Sequence, residues 1–281
     1  MRSRKYTEIR YKIAWNIGAL LSLLLYCSGT VPLYSYLRKH LLKRYIILVL
    51  TYHRIHDGNE DAPISVKLET FKNQMAYLRK NFDVVSLDDL IDILRNRACL
   101  RNDVIAITFD DGWKDNYTSA FQIIKVYGFP VTIFIATDFV GKDYGLTEEE
   151  IRIMRENKVA FGAHTVSHKA LSEIDYENTK FEIESSKLKI ENILQKKVKY
   201  FAYPYGKRGL DFNDTSVNIV KETGYSAAFS TNNGCITSDS DIFALERVGV
   251  RNFPMFVFKV RVSGIFENKW IRILRDVLHI N

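Results

Sequence analysis

Two aspartates stand side by side in the stretch TFDDG, residues 108–112, directly behind the apolar run Val104–Ile107. Adjacent carboxylates repel, so one of them resists ionisation unless a cation sits nearby. Histidine is scarce, with only His40, His53, His56, His164, His168 and His279 in the chain. Two of these, His164 and His168, fall in FGAHTVSH, again directly behind a strand-like run. A spacing of four sets two imidazoles on one face of a helical turn. Two neutral nitrogens and one carboxylate form a three-ligand site for a divalent cation, with a position left for water. Either motif alone is weak, because a strand-ending DDG is usually a turn or cap and a His pair is usually a solvated face. Together they are complementary. One aspartate binds the cation and stays ionised, and its neighbour is left free as a base.

Such residues need elements that deliver them to one place. Strand-like runs recur at Tyr45–Leu50, DVIAITF (103–109), Pro130–Ala136, Val159–Gly162, Val198–Pro204, YSAAFS (225–230) and LERVGV (245–250). Between them lie helical stretches: one with Phe71, Met75 and Leu78 on a single face, one starting at Ser86 as a cap, then Lys114–Tyr127, Glu148–Asn157, Tyr176–Gln195 and VNIVKETG. Strands alternating with helices imply βα units and a parallel sheet. About seven such units can close into an α/β barrel whose active site lies at the C-terminal strand ends, where both motifs fall.

The chain of 281 residues is 47% hydrophobic, enough for one large core. Its net charge of +7 is concentrated at one end. Residues 1–45 hold nine basic side chains against Glu8 alone, which leaves 31 basic and 32 acidic residues in the body. A near-neutral body argues against nucleic acid as partner. Three scattered cysteines, Cys27, Cys99 and Cys235, suggest neither a disulfide framework nor a metal knuckle. Between Lys12 and Arg38 no charge occurs, and Ile13–Val31 is nearly long enough to cross a bilayer. Beyond Pro32, Leu33, Leu37, Leu41 and Tyr45 recur among Arg38, Lys39, Lys43 and Arg44, the pattern of a basic amphipathic helix on an anionic lipid surface. The competing reading is a core helix of the globular domain. No small-x-small cleavage site follows the apolar run, which disfavours a cleaved signal peptide. We therefore expect a membrane-anchor segment at 1–44, a catalytic domain at 45–265 and a C-terminal helix at 266–281. The flanking charges slightly favour a catalytic domain facing outside the cytoplasm.

TFDDG, then HTVSH, then FAYPYG (Phe201–Gly206), in that order, resembles the polysaccharide deacetylase family with the NodB homology domain, over roughly Tyr45 to Arg251. Tyr52-His53 near the start together with FAYPYG is similar to the branch acting on poly-β-1,6-N-acetylglucosamine. The resemblance implies a distorted (β/α)7 barrel. It implies Asp110 as general base, Asp111, His164 and His168 as metal ligands, and the Tyr205 backbone N–H as a donor to the reaction's oxyanion. Zn2+ is the default cation for this donor set; Co2+, Ni2+ and Fe2+ also suit it. Two departures stand out. Ala202 occupies the place of an arginine that steadies the base, and the C-terminal Leu-x-His that carries the general acid is missing. Arg247 is the candidate replacement for the first, and His53, at the end of the first strand, for the second. Tyr203 and Tyr205 offer flat faces for sugar rings. The implied reaction is metal-dependent removal of N-acetyl groups from an N-acetylglucosamine polysaccharide. The alternatives are O-deacetylation or deformylation of a lipid-linked sugar, or a non-catalytic glycan-binding protein at the membrane.

Overall fold

The structure is a computed structural model that describes residues 16–58 and 64–267. The basic residues Arg2–Lys12, His279 and the expected C-terminal helix from 268 onward lie outside the described residues. Two compact units are present: Ile46–Asn252, and the described parts of Met1–Tyr45 together with Phe253–Asn281. Phe253–Phe266 groups with the N-terminal segment.

In the larger unit, seven strands lie side by side: β1 (Ile47–Tyr52), β2 (Val104–Phe109), β3 (Val131–Ile135), β4 (Val159–Ala163), β5 (Tyr200–Ala202), β6 (Ala227–Phe229) and β7 (Val248–Gly249). Their order is β7-β1-β2-β3-β4-β5-β6, and every pairing is parallel. Each of β1, β2 and β3 is buried at all positions. That is why their sequences read as unbroken apolar runs rather than alternating ones. The short strand Asp83–Val84 adds to the N-terminal end of β2. Between β6 and β7 the described residues show an isolated bridge, Phe229 to Leu245, in place of a ladder. The sheet is thus curled, with a seam where a complete barrel would close.

Helices cover this sheet: α1 (Leu68–Asn81), α2 (Leu87–Asn96), α3 (Phe121–Tyr127), α4 (Glu148–Glu156), α5 (Tyr176–Leu194) and α6 (Asp214–Glu222). Capping boxes start α2 (Ser86 with Asp89) and α4 (Thr147 with Glu150), each satisfying amides that the helix itself cannot. Close packing at one point demands glycine. A Cβ on Gly162 would meet the Phe134 ring at 2.5 Å and the Tyr200 carbonyl at 2.8 Å. With Gly162 in place, β3, β4 and β5 approach closely enough to share the core of Phe134, Tyr200 and Phe229.

The smaller unit contains the helical stretches Asn16–Cys27 and Thr30–Leu41, bent by 67° at the break between them. Gly29 makes the break at φ 73°, in the left-handed region. Among the described residues no single helix is long and apolar enough to cross a membrane. The described part of the apolar run, residues 16–31, is broken at Ser28–Gly29. Within this unit Val31 packs with Val260 of α7 (Met255–Val262), Ile265 and Phe266, flanked by Leu21, Leu25 and Tyr34.

Candidate active site

The C-terminal ends of β1, β2, β4 and β5 deliver His53, Asp110–Asp111, His164 and the Tyr203–Tyr205 segment. β2 ends at Phe109, and the chain then turns sharply, with Asp111 at φ 74° and Gly112 at φ 79°. A left-handed aspartate is unfavourable in isolation and persists where its surroundings dictate it. Here the turn points the two carboxylates to different partners.

Asp110 is 1% exposed and faces Arg247, which is fully buried. Nη1 donates to Oδ1 and Nη2 to Oδ2, each at 2.8 Å. Arg247 is itself fixed: Nε donates to the Ser230 carbonyl at 2.8 Å and Nη1 to Thr108 Oγ1 at 3.2 Å. Burial alone would raise the Asp110 pKa, but the Arg247 guanidinium and the nearby His164 outweigh it, and the carboxyl titrates below its ordinary value. Each oxygen keeps a second lone pair, so the ionised group can still accept a proton from a reactant.

Asp111 turns toward the histidines. Its Oδ1 lies 3.5 Å from His164 Nε2 and 3.1 Å from His168 Nε2. That oxygen is buried and has no hydrogen-bond partner. His164 Nδ1 sits 2.7 Å from the Ala202 carbonyl, which can only accept. The proton is therefore on Nδ1, and Nε2 faces Asp111. The three ligand atoms all lie within 4.8 Å of one another. An orphaned carboxylate oxygen between two imidazole nitrogens is the arrangement a divalent cation completes, so the residues fit the implied metal. The electrostatics agree. Burial would raise the Asp111 pKa, yet the two rings beside it hold it well below the carboxylate range. Burial would also lower that of His164, yet Asp110 and Asp111 raise it overall.

The histidine loop differs from the expected helical turn. Thr165 and His168 adopt φ 65° and 59°, and no helix forms between residues 164 and 168. An irregular loop brings the rings to 4.9 Å. Two groups outside the motifs hold this geometry. Glu182 of α5, buried, accepts the Val166 N–H at 2.7 Å and the Ser167 N–H at 2.8 Å. Trp113 donates Nε1–H to Asp111 Oδ2 at 2.7 Å, leaving Oδ1 as the free donor atom. Arg54 lies over the Trp113 ring at 5.1 Å and pairs with Asp115 at 2.9 Å. A signal for Glu182 existed in the sequence, since it falls on the inward stripe of α5 with Thr179, Ile183 and Ser186. Trp113 gave none beyond its place two residues after Asp111.

His53 is half-buried. Asn116, carried inward by a π-helical segment before α3, donates to the His53 carbonyl at 2.7 Å. Tyr205 is 60% exposed, at φ 58°, with its ring edge-on to His168 at 5.0 Å. Tyr203 is the correction. It is fully buried, stacked on Phe212 at 3.8 Å, with its hydroxyl donating to the Phe243 carbonyl at 3.0 Å. Its ring offers no face to a sugar.

Residues 97–228 match the family profile described as polysaccharide deacetylase. That matched segment, just under half of the chain, is similar to the family. The matched segment carries Asp110, Asp111, His164, His168 and the FAYPYG segment. YxkH of Bacillus subtilis is 28% identical over 203 residues, 72% of this chain and 70% of YxkH. The poly-β-1,6-N-acetyl-D-glucosamine N-deacetylase of Staphylococcus epidermidis is 24% identical over 252 residues, 79% of this chain and 85% of that enzyme. Its Escherichia coli counterpart is 22% identical, and there the chain spans only 37% of the relative's length. Among solved structures, a polysaccharide deacetylase from Bacillus cereus superposes with a TM-score of 0.67 at 27% identity, covering 78% of this chain and 68% of that one. The Streptococcus pyogenes deacetylase PplD shares the fold, with a TM-score of 0.72 at 24% identity, covering 78% of this chain and 98% of PplD.

Proposed function

We propose that this deacetylase hydrolyses N-acetyl groups of an N-acetylglucosamine-containing polysaccharide, giving acetate and a free amine, in a reaction dependent on a divalent cation. The observation that carries this reading is the division of labour at the end of β2. Asp110 is held ionised by Arg247, while Asp111 shares its unpartnered oxygen with two histidines. Several relatives are named as poly-β-1,6-N-acetyl-D-glucosamine N-deacetylases, which supports the glycan class.

Asp111, His164 and His168 would hold the cation, with Zn2+ the default for two imidazoles and a carboxylate. When bound, it supplies Lewis-acid polarisation and makes water acidic enough to be deprotonated near neutral pH. Asp110 is the group that accepts the proton from the attacking water. The Tyr205 N–H, in a strained turn at the rim of the site, donates to the oxygen on which negative charge develops. The C–N bond then breaks, and His53 protonates the departing nitrogen so that it leaves as an amine. The exposed Tyr205 ring provides a stacking surface for the sugar.

The test is product analysis on N-acetylglucosamine oligomers of β-1,6 and β-1,4 linkage, assaying acetate and new free amine together. Equal amounts of both, preferentially from the β-1,6 series, are expected. Acetate without amine would redirect the reading to an O-acetyl ester, and release of formate to a deformylase.

A further inference from the structure

Beside its small buried cluster, the smaller unit turns many large apolar side chains outward. Of the seventeen large apolar side chains exposed in the described residues, ten fall between Ile17 and Leu42. In the stretch Asn16–Cys27, Leu20 and Leu24 are 58% and 60% exposed, with Ile17 and Leu23 beside them. The buried positions on the same helical stretch are Gly18 and Ser22. In a helix that folds against a core in water the leucines face inward and the small polar residues outward. The second arm repeats the pattern. Leu33, Tyr36, Leu37, Leu41 and Leu42 are exposed, while Arg38 is buried and donates Nη1–H to the Arg44 carbonyl at 2.8 Å. An apolar face this dense is not a water-facing surface.

Two further observations choose the occupant. Lys43 and Arg44 are exposed immediately after the apolar face, and the segment ahead of it carries Arg2, Arg4, Lys5, Arg10 and Lys12. That charge complements anionic headgroups. The bend of 67° follows Cys27, and the second arm, Thr30–Leu41, has twelve residues by its bounds. An arm of that length is about 18 Å long, short of the roughly 30 Å hydrocarbon core.

We propose that the bent pair Asn16–Cys27 and Thr30–Leu41 lies within one leaflet of an anionic lipid membrane, apolar face down, as an in-plane anchor rather than a span. The leucines enter the acyl region, and Lys43 and Arg44 stay at the headgroups. This assignment is independent of the deacetylase reading, because no residue of the active site takes part in it.

The test is flotation of the full chain with phosphatidylcholine vesicles, with and without phosphatidylglycerol. At least ten-fold more protein is expected to float with the anionic vesicles. The variant carrying Leu20→Ser, Leu24→Ser, Leu37→Ser and Leu41→Ser should remain at the bottom. Lys43→Glu with Arg44→Glu, which leaves the apolar face intact, should erase the preference for anionic lipid. A fluorophore on the exposed Cys27, in a Cys99→Ser/Cys235→Ser background, should be quenched best by shallow lipid labels. Wild-type protein that fails to float, or that instead forms a dimer covering this face, overturns the proposal. So does equal flotation on both vesicles, or quenching best by labels at the bilayer centre.

Discussion

Arg247 and Asp110 meet through two parallel hydrogen bonds of 2.8 Å, and both side chains are essentially removed from solvent. The arginine comes from the segment leading into β7 and the aspartate from the end of β2, far apart in sequence and joined only by the curl of the sheet. A planar guanidinium matches a carboxylate at both oxygens, which an ammonium cannot do. The pair has the geometry expected if Arg247 replaces the arginine absent at position 202.

Removing the guanidinium strands a buried carboxylate. Arg247→Met should cost about 3–5 kcal/mol of stability, the range for breaking a buried pair by deleting one partner. The sign of the pH effect follows from the same pair. The folded-state pKa of Asp110 is depressed, so its contribution to stability is present above the unfolded carboxylate value and lost as pH falls through the folded one. Without Arg247 burial dominates and the pKa rises. The acidic limb of kcat/KM should then move to higher pH, read from a pH–rate profile of wild type and Arg247→Met. Arg247→Lys should restore charge without the second hydrogen bond, and recover activity only in part.

Trp113 holds the oxygen of Asp111 that points away from the histidines. Trp113→Phe keeps the ring and deletes the donor, so both carboxylate oxygens become free to rotate toward the cation. Metal affinity should fall by about 10- to 100-fold, as for other partners that orient a metal ligand. Calorimetric titration of the metal-free protein with Zn2+ measures this directly, and the Co2+ absorption spectrum reports the changed coordination.

Glu182 acts on the candidate metal ligands His164 and His168 through the loop between them. Glu182→Gln retains the shape but weakens both bonds to the Val166 and Ser167 amides. Glu182→Ala leaves those two N–H groups without a partner, at a cost of about 1–3 kcal/mol each where they stay buried. The expected order of Zn2+ affinity is wild type, then Gln, then Ala, with hydrogen exchange at Val166 and Ser167 accelerating in the same order.

Among the described residues His53 makes no hydrogen bond to Asp111, His164 or His168, so His53→Ala should leave Zn2+ affinity within two-fold of wild type. If it supplies the proton to the amine, kcat should fall by about 10^2 to 10^4. Unchanged turnover would remove it from the mechanism.

The strand–helix alternation and the two chemical motifs were readable because parallel βα units impose a repeating apolar pattern and chemistry sits at strand ends. Arg247 could be named only as a loose candidate, since nothing local marks a residue whose partner is over a hundred positions away. The spacing of His164 and His168 misled about local geometry. A gap of four is the helical signature, yet here Thr165 and His168 take left-handed backbone and the loop is propped by Glu182. Tyr203 and Tyr205 look equivalent in sequence. Tyr203 still extends the β5 ladder, donating its N–H to the Phe229 carbonyl, and its ring is drawn into the core against Phe212. Tyr205 lies beyond the strand in a left-handed turn, with its ring outside. The absence of an arginine at position 202 proved less telling than the Ala202 backbone, whose carbonyl sets the tautomer of His164.

The most direct test of the site is acetate release from a β-1,6-linked N-acetylglucosamine oligomer by wild type and Asp110→Asn, each stripped with chelator and then reloaded with Zn2+. Wild type should lose activity on stripping and regain it on reloading. Asp110→Asn should bind Zn2+ yet release at least a hundred-fold less acetate. Full activity in the stripped protein, or in Asp110→Asn, would contradict the assignment of base and metal ligands made here.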